Sequence, residues 1–175
     1  MVHWGKWLQP DLVLGCSILG LTPELIEHYQ LRGLILDVDD TLVSFHQSEP
    51  LAEVEQWAQA VQSIAEIVLV SNNLNQPRIR RIADVLQVPF FTGAGKPSRR
   101  KLRKAAAILN LPPDQIAMVG DRLFTDVLAG NRLGMFTVLV DPMSDPQVDS
   151  PKKCVHNFES WLSVRLGVTL KGFSG

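Results

Sequence analysis

Two aspartates two positions apart are the residues best placed to do chemistry in this chain. Asp37 and Asp39 follow the apolar run at residues 34–36 and precede Thr41. Residues two apart in a strand point to the same side, and a buried parallel strand reads as a continuous apolar run. Two carboxylates held close at a strand end repel each other unless a cation or a proton lies between them. The spacing therefore predicts a site for a hard divalent cation with a phosphate; an Asp-rich turn is the structural alternative.

Further polar side chains follow later apolar runs in the sequence. Ser71 and Asn72 come directly after residues 67–70, Lys96 lies at a predicted helix start, and Asp121 follows residues 116–120, with Asp126 a little further on. Ligands of open α/β sheets bind at the carboxyl ends of the strands, so we expect these groups to meet there. Taken singly, the serine would be an ordinary helix cap and the lysine an ordinary solvated side chain. Only the ordered set indicates a phosphate site.

This order of Asp/Asp, Ser, Lys and Asp/Asp resembles the four motifs of the haloacid dehalogenase (HAD) superfamily, over roughly residues 33–141. The resemblance implies that Asp37 is a nucleophile that forms an aspartyl-phosphate, and that Asp39 is the general acid and base. Dehalogenases of the superfamily lack that second aspartate, so its presence favours phosphate transfer. The resemblance also implies Mg²⁺ as cofactor, held by the Asp37 carboxylate, the Asp39 main-chain carbonyl and the Asp121 carboxylate.

The same resemblance assigns the remaining polar residues to supporting roles. Ser71, Asn72 and Lys96 would bind the phosphoryl group and stabilise its developing charge. Asp126 would orient Lys96 or a metal-bound water, and direct ligation of the metal ion is the alternative. Thr41 would support the residues of the site and would not contact the phosphate. The substrate is accordingly expected to be a phosphorylated molecule.

Several segments are together similar to one branch of the superfamily, the YqeG-like subfamily IIIA phosphatases. They are the short N-terminal helix that runs into GLILDVDDTLV, the SNN after the second run, the GKP, and GDRLFTDVLAGNRLG. That branch includes phosphatidylglycerophosphate phosphatases of mitochondria and plastids, which makes phosphatidylglycerophosphate a plausible substrate. The intervals from Asp37 to Ser71 and from Ser71 to Lys96 are filled by core elements, so a capless member with an open site is expected.

Strands that alternate with helices predict an α/β fold, a three-layer Rossmann-like core with a five-stranded parallel sheet. We expect one domain over 1–175, with an N-terminal docking segment and short helix at 1–31, a loop at 142–157, and a C-terminal helix and tail at 158–175. The predicted strands are 33–37, 67–70, 88–91, 116–119 and 136–140. The predicted helices are 22–30, 50–64, 76–86, 98–109, 124–133 and 158–166.

Composition sets limits on the class of protein. The 175 residues carry a net charge of −1, so no nucleic-acid partner is expected, and the two cysteines, Cys16 and Cys154, fit a reducing cytoplasm. The apolar stretch at 12–21, about ten residues, is too short to span a bilayer, and no signal peptide is recognised. A cytoplasmic protein is expected, free or peripheral to a membrane.

Two features bear on the substrate and leave alternatives open. Residues 96–104 carry six basic residues in nine, which reads either as an exposed helix face or as a surface for an anionic phospholipid. Trp4 and Trp7 either pack on the domain or contact a membrane. A phosphatase of soluble sugar or nucleotide phosphates, polynucleotide ends or phosphoproteins is the alternative activity, and a non-catalytic HAD-fold binding protein is a further one. The sequence leaves the oligomeric state open.

Overall fold

The central element of the protein is a sheet of six parallel strands. The structure, a computed structural model, describes residues 4–44 and 47–143, and only the backbone of Trp4. The strands are β1 (Leu12–Val13), β2 (Gly33–Leu36), β3 (Glu66–Val70), β4 (Phe90–Phe91), β5 (Ile116–Gly120) and β6 (Phe136–Leu139). The sheet order is β1-β6-β5-β2-β3-β4, and every neighbouring pair is parallel.

Helices cover both faces of the sheet and complete the three expected layers. The helices are α1 (Trp4–Leu8), α2 (Pro23–His28), α3 (Ala52–Gln62), α4 (Gln76–Leu86), α5 (Arg100–Leu109) and α6 (Leu128–Asn131). Leu34 and Leu36 of β2 pack into one core with α3, α4 and the N-terminal segment, whereas Ile35 between them packs into a second core with α5 and α6. This alternation arises because successive side chains of a strand point to opposite faces of the sheet.

The strand order places the chemistry at one edge of the sheet. From β2 the chain moves outward through β3 to β4, then returns to β5 on the other side of β2. The connections from β2 and β5 therefore leave in opposite directions, and this reversal opens the crevice in which open α/β sheets bind their ligands. Asp37 follows β2, Ser71 follows β3 and Asp121 follows β5, so all three lie at that crevice.

The predicted α/β class is confirmed, but the predicted count of five strands is wrong. The sixth strand, β1, lies in the apolar stretch that the sequence indicated only as a docking segment. It pairs with β6, Leu12 opposite Val138, and Asp11 extends the contact by accepting hydrogen bonds from the Thr137 backbone and hydroxyl at 2.8 and 2.9 Å. A strand of two residues shows no hydrophobic period, so pattern reading could not detect it.

Element ends differ from the predictions by a few residues. The helix predicted from residue 50 begins at Ala52, and the one predicted from residue 98 begins at Arg100. The strand predicted at 88–91 is reduced to its last two residues at the sheet edge, where a proline is tolerated. The predicted loop beyond residue 143 and the predicted C-terminal helix lie outside the described residues.

Candidate active site

Lys96 lies buried at the centre of the carboxylate cluster. Its ammonium nitrogen is 2.6 Å from Asp37 Oδ1 and 2.7 Å from Asp126 Oδ1, and it donates to the Val70 carbonyl at 2.9 Å. An ammonium has three donors, so each has one partner here. The side chain is 1% exposed. Burial lowers the pKa of Lys96, but Asp126 and Asp37 outweigh that effect and raise it above its usual value, so the lysine is charged.

Three buried carboxylates could hold a metal ion beside this lysine. Asp37, Asp121 and Asp126 each offer an oxygen, and these oxygens all lie within 4.8 Å of one another. When all three carboxyl groups are ionised, they carry three negative charges, and Lys96 supplies one positive charge. Two negative charges are then left without a counter-charge. Asp121 Oδ1 is buried and has no hydrogen-bond partner within 4–44 and 47–143. Oxygen donors with a deficit of two positive charges fit a hard divalent cation such as Mg²⁺.

Burial and mutual repulsion perturb two of these carboxyl groups. Burial raises the pKa of Asp37 to about 7, although Lys96 acts in the opposite direction. Burial, with the charges of Asp37, Asp126 and Asp40, raises the pKa of Asp121 to about 8. Clustered carboxylates that resist ionisation are typical of sites that a cation completes.

Asp126 reaches the cluster through an irregular helix start. The predicted helix at 124–133 instead begins as a π-helical turn, Leu123–Val127, and becomes α-helical only at Leu128. Asp126 packs so closely on the end of β5 that a Cβ at Gly120 would lie 2.3 Å from Asp126 Oδ2. The backbone N–H of Arg122 donates to that same oxygen at 3.3 Å. Turns of π-helix are rare and occur frequently at functional sites.

Asp39 lies beside the cluster and is held by three donors. Arg78 Nη1 contacts its Oδ1 at 2.6 Å, while Asn73 Nδ2 and Ser71 Oγ donate to its Oδ2 at 3.2 and 3.3 Å. Sequence reasoning missed Asn73 and Arg78 as site residues. Asn73 belongs to the SNN motif that follows β3. Arg78 lies in the first turn of α4, the next helix after β3, and this position could have indicated that it reaches the site.

The other predicted site residues occupy the same region in different ways. The Asn72 side chain forms two hydrogen bonds with the backbone of Lys96, accepting at 2.7 Å and donating at 3.2 Å, so it fixes the lysine segment. Ser71 Oγ accepts from the Asn73 backbone at 2.9 Å, and it is buried. Thr41 is also buried, and its hydroxyl has no hydrogen-bond partner within the described ranges.

An open cavity of about 350 Å³ gives access to these groups. The described residues form no cap over it: between Asp37 and Lys96 they form only α3, β3, α4, β4 and their connecting loops. A volume of this size admits a phosphate with part of its leaving group. The lining residues are Asp37, Asp39, Asn72, Asn73, Lys96, Arg122 and Thr125.

The six basic residues at 96–104 differ in their burial and in their contacts. Lys96 belongs to the buried cluster, Arg99 donates to the Arg132 carbonyl at 3.3 Å, and Lys101 donates to the Thr92 carbonyl. The exposed members are Arg100, Arg103 and Lys104, on α5.

Sequence comparisons identify the relatives of this chain. The HAD-hydrolase-like family model matches residues 93–145. The probable phosphatase YqeG of Bacillus subtilis is 32% identical over 140 residues, which cover 79% of this chain and 80% of that protein. The chain belongs to the YqeG-like HAD phosphatases. A chloroplastic phosphatidylglycerophosphate phosphatase 1 of Chlamydomonas reinhardtii is 35% identical over 127 residues, 65% of this chain and 45% of that enzyme.

Solved structures agree with the HAD fold. A hypothetical protein of Xanthomonas campestris superposes with a TM-score of 0.53 at 16% identity, covering 73% of this chain and 77% of the other. The cobalt-bound deoxy-D-mannose-octulosonate 8-phosphate phosphatase of Haemophilus influenzae gives a TM-score of 0.50 at 16% identity, covering 63% of this chain and 68% of the other. The fold agrees with the family that the 32% identity to YqeG shows, and the protein is an enzyme of the HAD hydrolase family, a phosphatase.

Proposed function

We propose that the protein is a Mg²⁺-dependent phosphomonoesterase that works through an aspartyl-phosphate, with phosphatidylglycerophosphate as its substrate. The observation that carries the reaction class is the convergence of Asp37, Lys96, Asp121 and Asp126 in one buried cluster, of which Asp37 and Lys96 line an open cavity. The observation that favours the lipid is the 35% identity to the chloroplastic phosphatidylglycerophosphate phosphatase.

The chemistry follows from the positions of the two cavity carboxylates. An Asp37 oxygen attacks phosphorus and forms a new P–O bond, while the bond from phosphorus to the ester oxygen breaks. Asp39 supplies a proton to the departing alkoxide, and afterwards takes one from the water that attacks the aspartyl-phosphate. The products are the alcohol, inorganic phosphate and the free Asp37 carboxylate.

Positive charge around Asp37 counters the repulsion between its carboxylate and the incoming phosphate. Lys96, 2.6 Å from Asp37, lies where it can stabilise the phosphoryl oxygens. Asp37 and Asp121, with the main-chain carbonyl of Asp39, would hold the metal ion, and Asp126 would hold Lys96. The ion supplies Lewis-acid stabilisation of the phosphoryl charge.

The surroundings of the cavity suit a headgroup that projects from a lipid surface. Leu74 follows the cavity residue Asn73 and is 85% exposed, and its side chain lies against Gly93 in the loop after β4. The first turn of α5, with exposed Arg100, begins a few residues after that loop. An exposed apolar side chain near basic residues is the combination that favours contact with an anionic bilayer. Among the described residues, no helix has the length and apolarity needed to cross a membrane.

A soluble phosphorylated sugar is the second candidate substrate. A glyceraldehyde 3-phosphate phosphatase of Pyrococcus furiosus is 40% identical over 53 residues, 30% of this chain and 22% of that enzyme. The open cavity would also admit so small a phosphate ester.

One assay separates these substrates and tests the mechanism. Phosphate release is measured from phosphatidylglycerophosphate in mixed micelles and from a panel of soluble phosphomonoesters, with chelator and with Mg²⁺. The lipid is expected to give the highest kcat/KM, with full dependence on the ion. Asp37→Asn, purified in parallel, keeps the side-chain shape and is expected to be inactive. Turnover by that variant near the wild-type rate would refute the aspartyl-phosphate mechanism, and preference for a soluble ester would refute the lipid assignment.

A further inference from the structure

Arg78 makes a set of contacts in the site that the reaction described above does not use. Its Nη1 lies 2.6 Å from Asp39 Oδ1, its Nε donates to the Gln47 carbonyl at 2.8 Å, and its Nη2 donates to the Ser44 carbonyl at 3.2 Å. The side chains of Arg78 and Asp39 are 10% and 14% exposed. The guanidinium therefore joins α4, the backbone carbonyls of Ser44 and Gln47, and the Asp39 carboxylate.

The backbone around Asp39 leaves its side chain in need of such support. The residue lies beyond the end of β2, and the next residue, Asp40, has a φ of 63°, in the left-handed region. The Val38 carbonyl accepts from the backbone N–H groups of Thr41, Leu42 and Val43 and closes a tight turn. A carboxylate on such a turn is not oriented by a regular ladder, so its direction depends on its own hydrogen-bond donors.

Among those donors, Arg78 is the one best suited to fix a direction. A guanidinium is planar and rigid, and here two backbone carbonyls hold its plane while Nη1 faces the carboxylate. The contacts of Asp39 with Ser71 and Asn73 are longer, at 3.3 and 3.2 Å, and both approach the other oxygen. Asp39 lines the cavity, whereas the described lining residues do not include Arg78.

We propose that Arg78 is a positioning residue that holds the Asp39 carboxylate in the orientation needed for proton transfer to the leaving group. The proposal rests on the proposed function, in which Asp39 is the general acid and base. Arg78 acts through Asp39 and does not touch the substrate. If Asp39 is displaced, its carboxyl group can still lie in the cavity, but it no longer points at the ester oxygen that must receive the proton.

The dependence of the rate on the leaving group tests this role. An alkyl phosphate such as β-glycerophosphate needs a proton on its departing oxygen, whereas p-nitrophenolate leaves without one. Arg78→Ala is expected to lower kcat/KM by roughly 100-fold on the alkyl ester, because general acid catalysis contributes at least that much, and by only a few-fold on p-nitrophenyl phosphate. Arg81→Ala removes an exposed arginine from the same helix and is the matched control, with wild-type values expected on both esters.

A double-mutant cycle separates positioning from other roles. In the Asp39→Asn background, Arg78→Ala is expected to cause no further loss on the alkyl ester, since the group it positions can no longer transfer a proton. Arg78→Lys keeps the charge without the planar fork and is expected to fall between wild type and alanine. It provides the same comparison of esters if the alanine variant does not fold.

The outcomes distinguish failure of this inference from failure of the proposed function. Equal losses on both esters, or a further loss in the Asp39→Asn background, would overturn the positioning role. A raised KM at unchanged kcat would also overturn it, because that result means substrate binding. Activity on both esters that survives the Asp37→Asn substitution would instead refute the proposed mechanism. The lipid assignment is unaffected by either result.

Discussion

At the scale of single residues, Lys96 determines the charge balance of the site. Its one positive charge lies between Asp37 and Asp126, and both ion pairs are buried. Taking one partner out of a buried ion pair leaves an uncompensated charge, which costs far more than an exposed pair is worth. We therefore expect the lysine to contribute to stability and, under the proposed function, to catalysis as well, and the two contributions can be measured separately.

Replacing this lysine should affect the barrier even when the fold is intact. Lys96→Ala is expected to raise the activation free energy by roughly 3 kcal/mol, as is typical for the loss of one preorganised electrostatic donor. Steady-state kinetics under saturating Mg²⁺ measure this effect, and thermal unfolding identifies any loss of stability. Wild-type kcat/KM in a folded Lys96→Ala protein would exclude the lysine from phosphoryl stabilisation.

The raised pKa values of Asp37 and Asp121 predict a particular dependence of stability on pH. Because the folded protein keeps protons that the unfolded chain releases near pH 4, these two groups favour the metal-free fold at low pH. That contribution is lost as pH rises through about 7 and about 8. Mg²⁺ requires the ionised forms, so the increase in Tm on adding Mg²⁺ should grow between about pH 6 and pH 8.5. Thermal unfolding with and without the ion measures it.

Asp121→Asn provides the control for this effect. The amide removes one of the two raised carboxyl groups and weakens the metal site, so a smaller Mg²⁺ shift is expected at every pH. An unchanged Mg²⁺ titration in this variant would remove Asp121 from the set of ligands.

At the scale of elements, the junction between β5 and the π-helical turn positions Asp126. The close approach of its carboxylate to the strand end requires the absence of a side chain at Gly120. The glycine at the end of β5 therefore allows Asp126 to take the position in which it contacts Lys96. Glycine is the residue that permits such an approach.

Gly120→Ala should therefore change the metal site indirectly, although Gly120 has no side chain that could bind the ion. The added methyl group would displace Asp126, and overpacking of this kind costs about 1–3 kcal/mol of stability. Gly130→Ala is a matched control, because a Cβ there would lie 2.7 Å from Thr137 Cγ2, in the core and not against the Asp126 carboxylate. Both variants should lose stability, but only Gly120→Ala should show weaker Mg²⁺ binding by calorimetry. Equal Mg²⁺ affinity in the two variants would contradict this coupling.

Elements also differ in how far the sequence predicts them. The strands β2, β3 and β5 are buried on both faces, so their apolar runs and the polar residues after them are visible in the sequence. The two-residue strand β1 and the π-helical turn have no such signature. The Arg78–Asp39 contact joins residues 39 positions apart and depends on how α4 lies on the sheet, which no local pattern encodes.

At the scale of the whole molecule, the exposed side chains Leu74 and Arg100 lie in segments that follow the carboxyl ends of the strands, one in a loop and one in the first turn of a helix. Leu74 follows β3, and Arg100 opens α5 after the loop from β4. Parallel strands point the same way, so all of these loops lie at one edge of the sheet. An enzyme that approaches a bilayer with this edge would present its cavity to the headgroups.

Leu74→Ser should weaken binding to vesicles that contain phosphatidylglycerol, because it removes the apolar contact. The affinity should fall by about ten-fold or more, since full burial of one leucine contributes about 1.5–3 kcal/mol and each 1.4 kcal/mol is a factor of ten. Ile108→Ser is the matched control: Ile108 is 50% exposed near the far end of α5 and should leave binding unchanged. Co-sedimentation measures binding without turnover. Identical behaviour of the two variants would argue against this edge as the membrane contact.

The pairing of β1 with β6 has a consequence for the order in which the protein folds. The contact between Asp11 and Thr137 spans 126 residues, so β1 has no partner in the sheet until β6 has been synthesised. Contacts of such separation carry a large loop-closure entropy and form late. The inner strands can pair during synthesis, while the edge of β6 stays unpaired until the N-terminal segment docks. We therefore expect this segment to dock late in folding and to cover an edge of β6 that could otherwise pair with another chain.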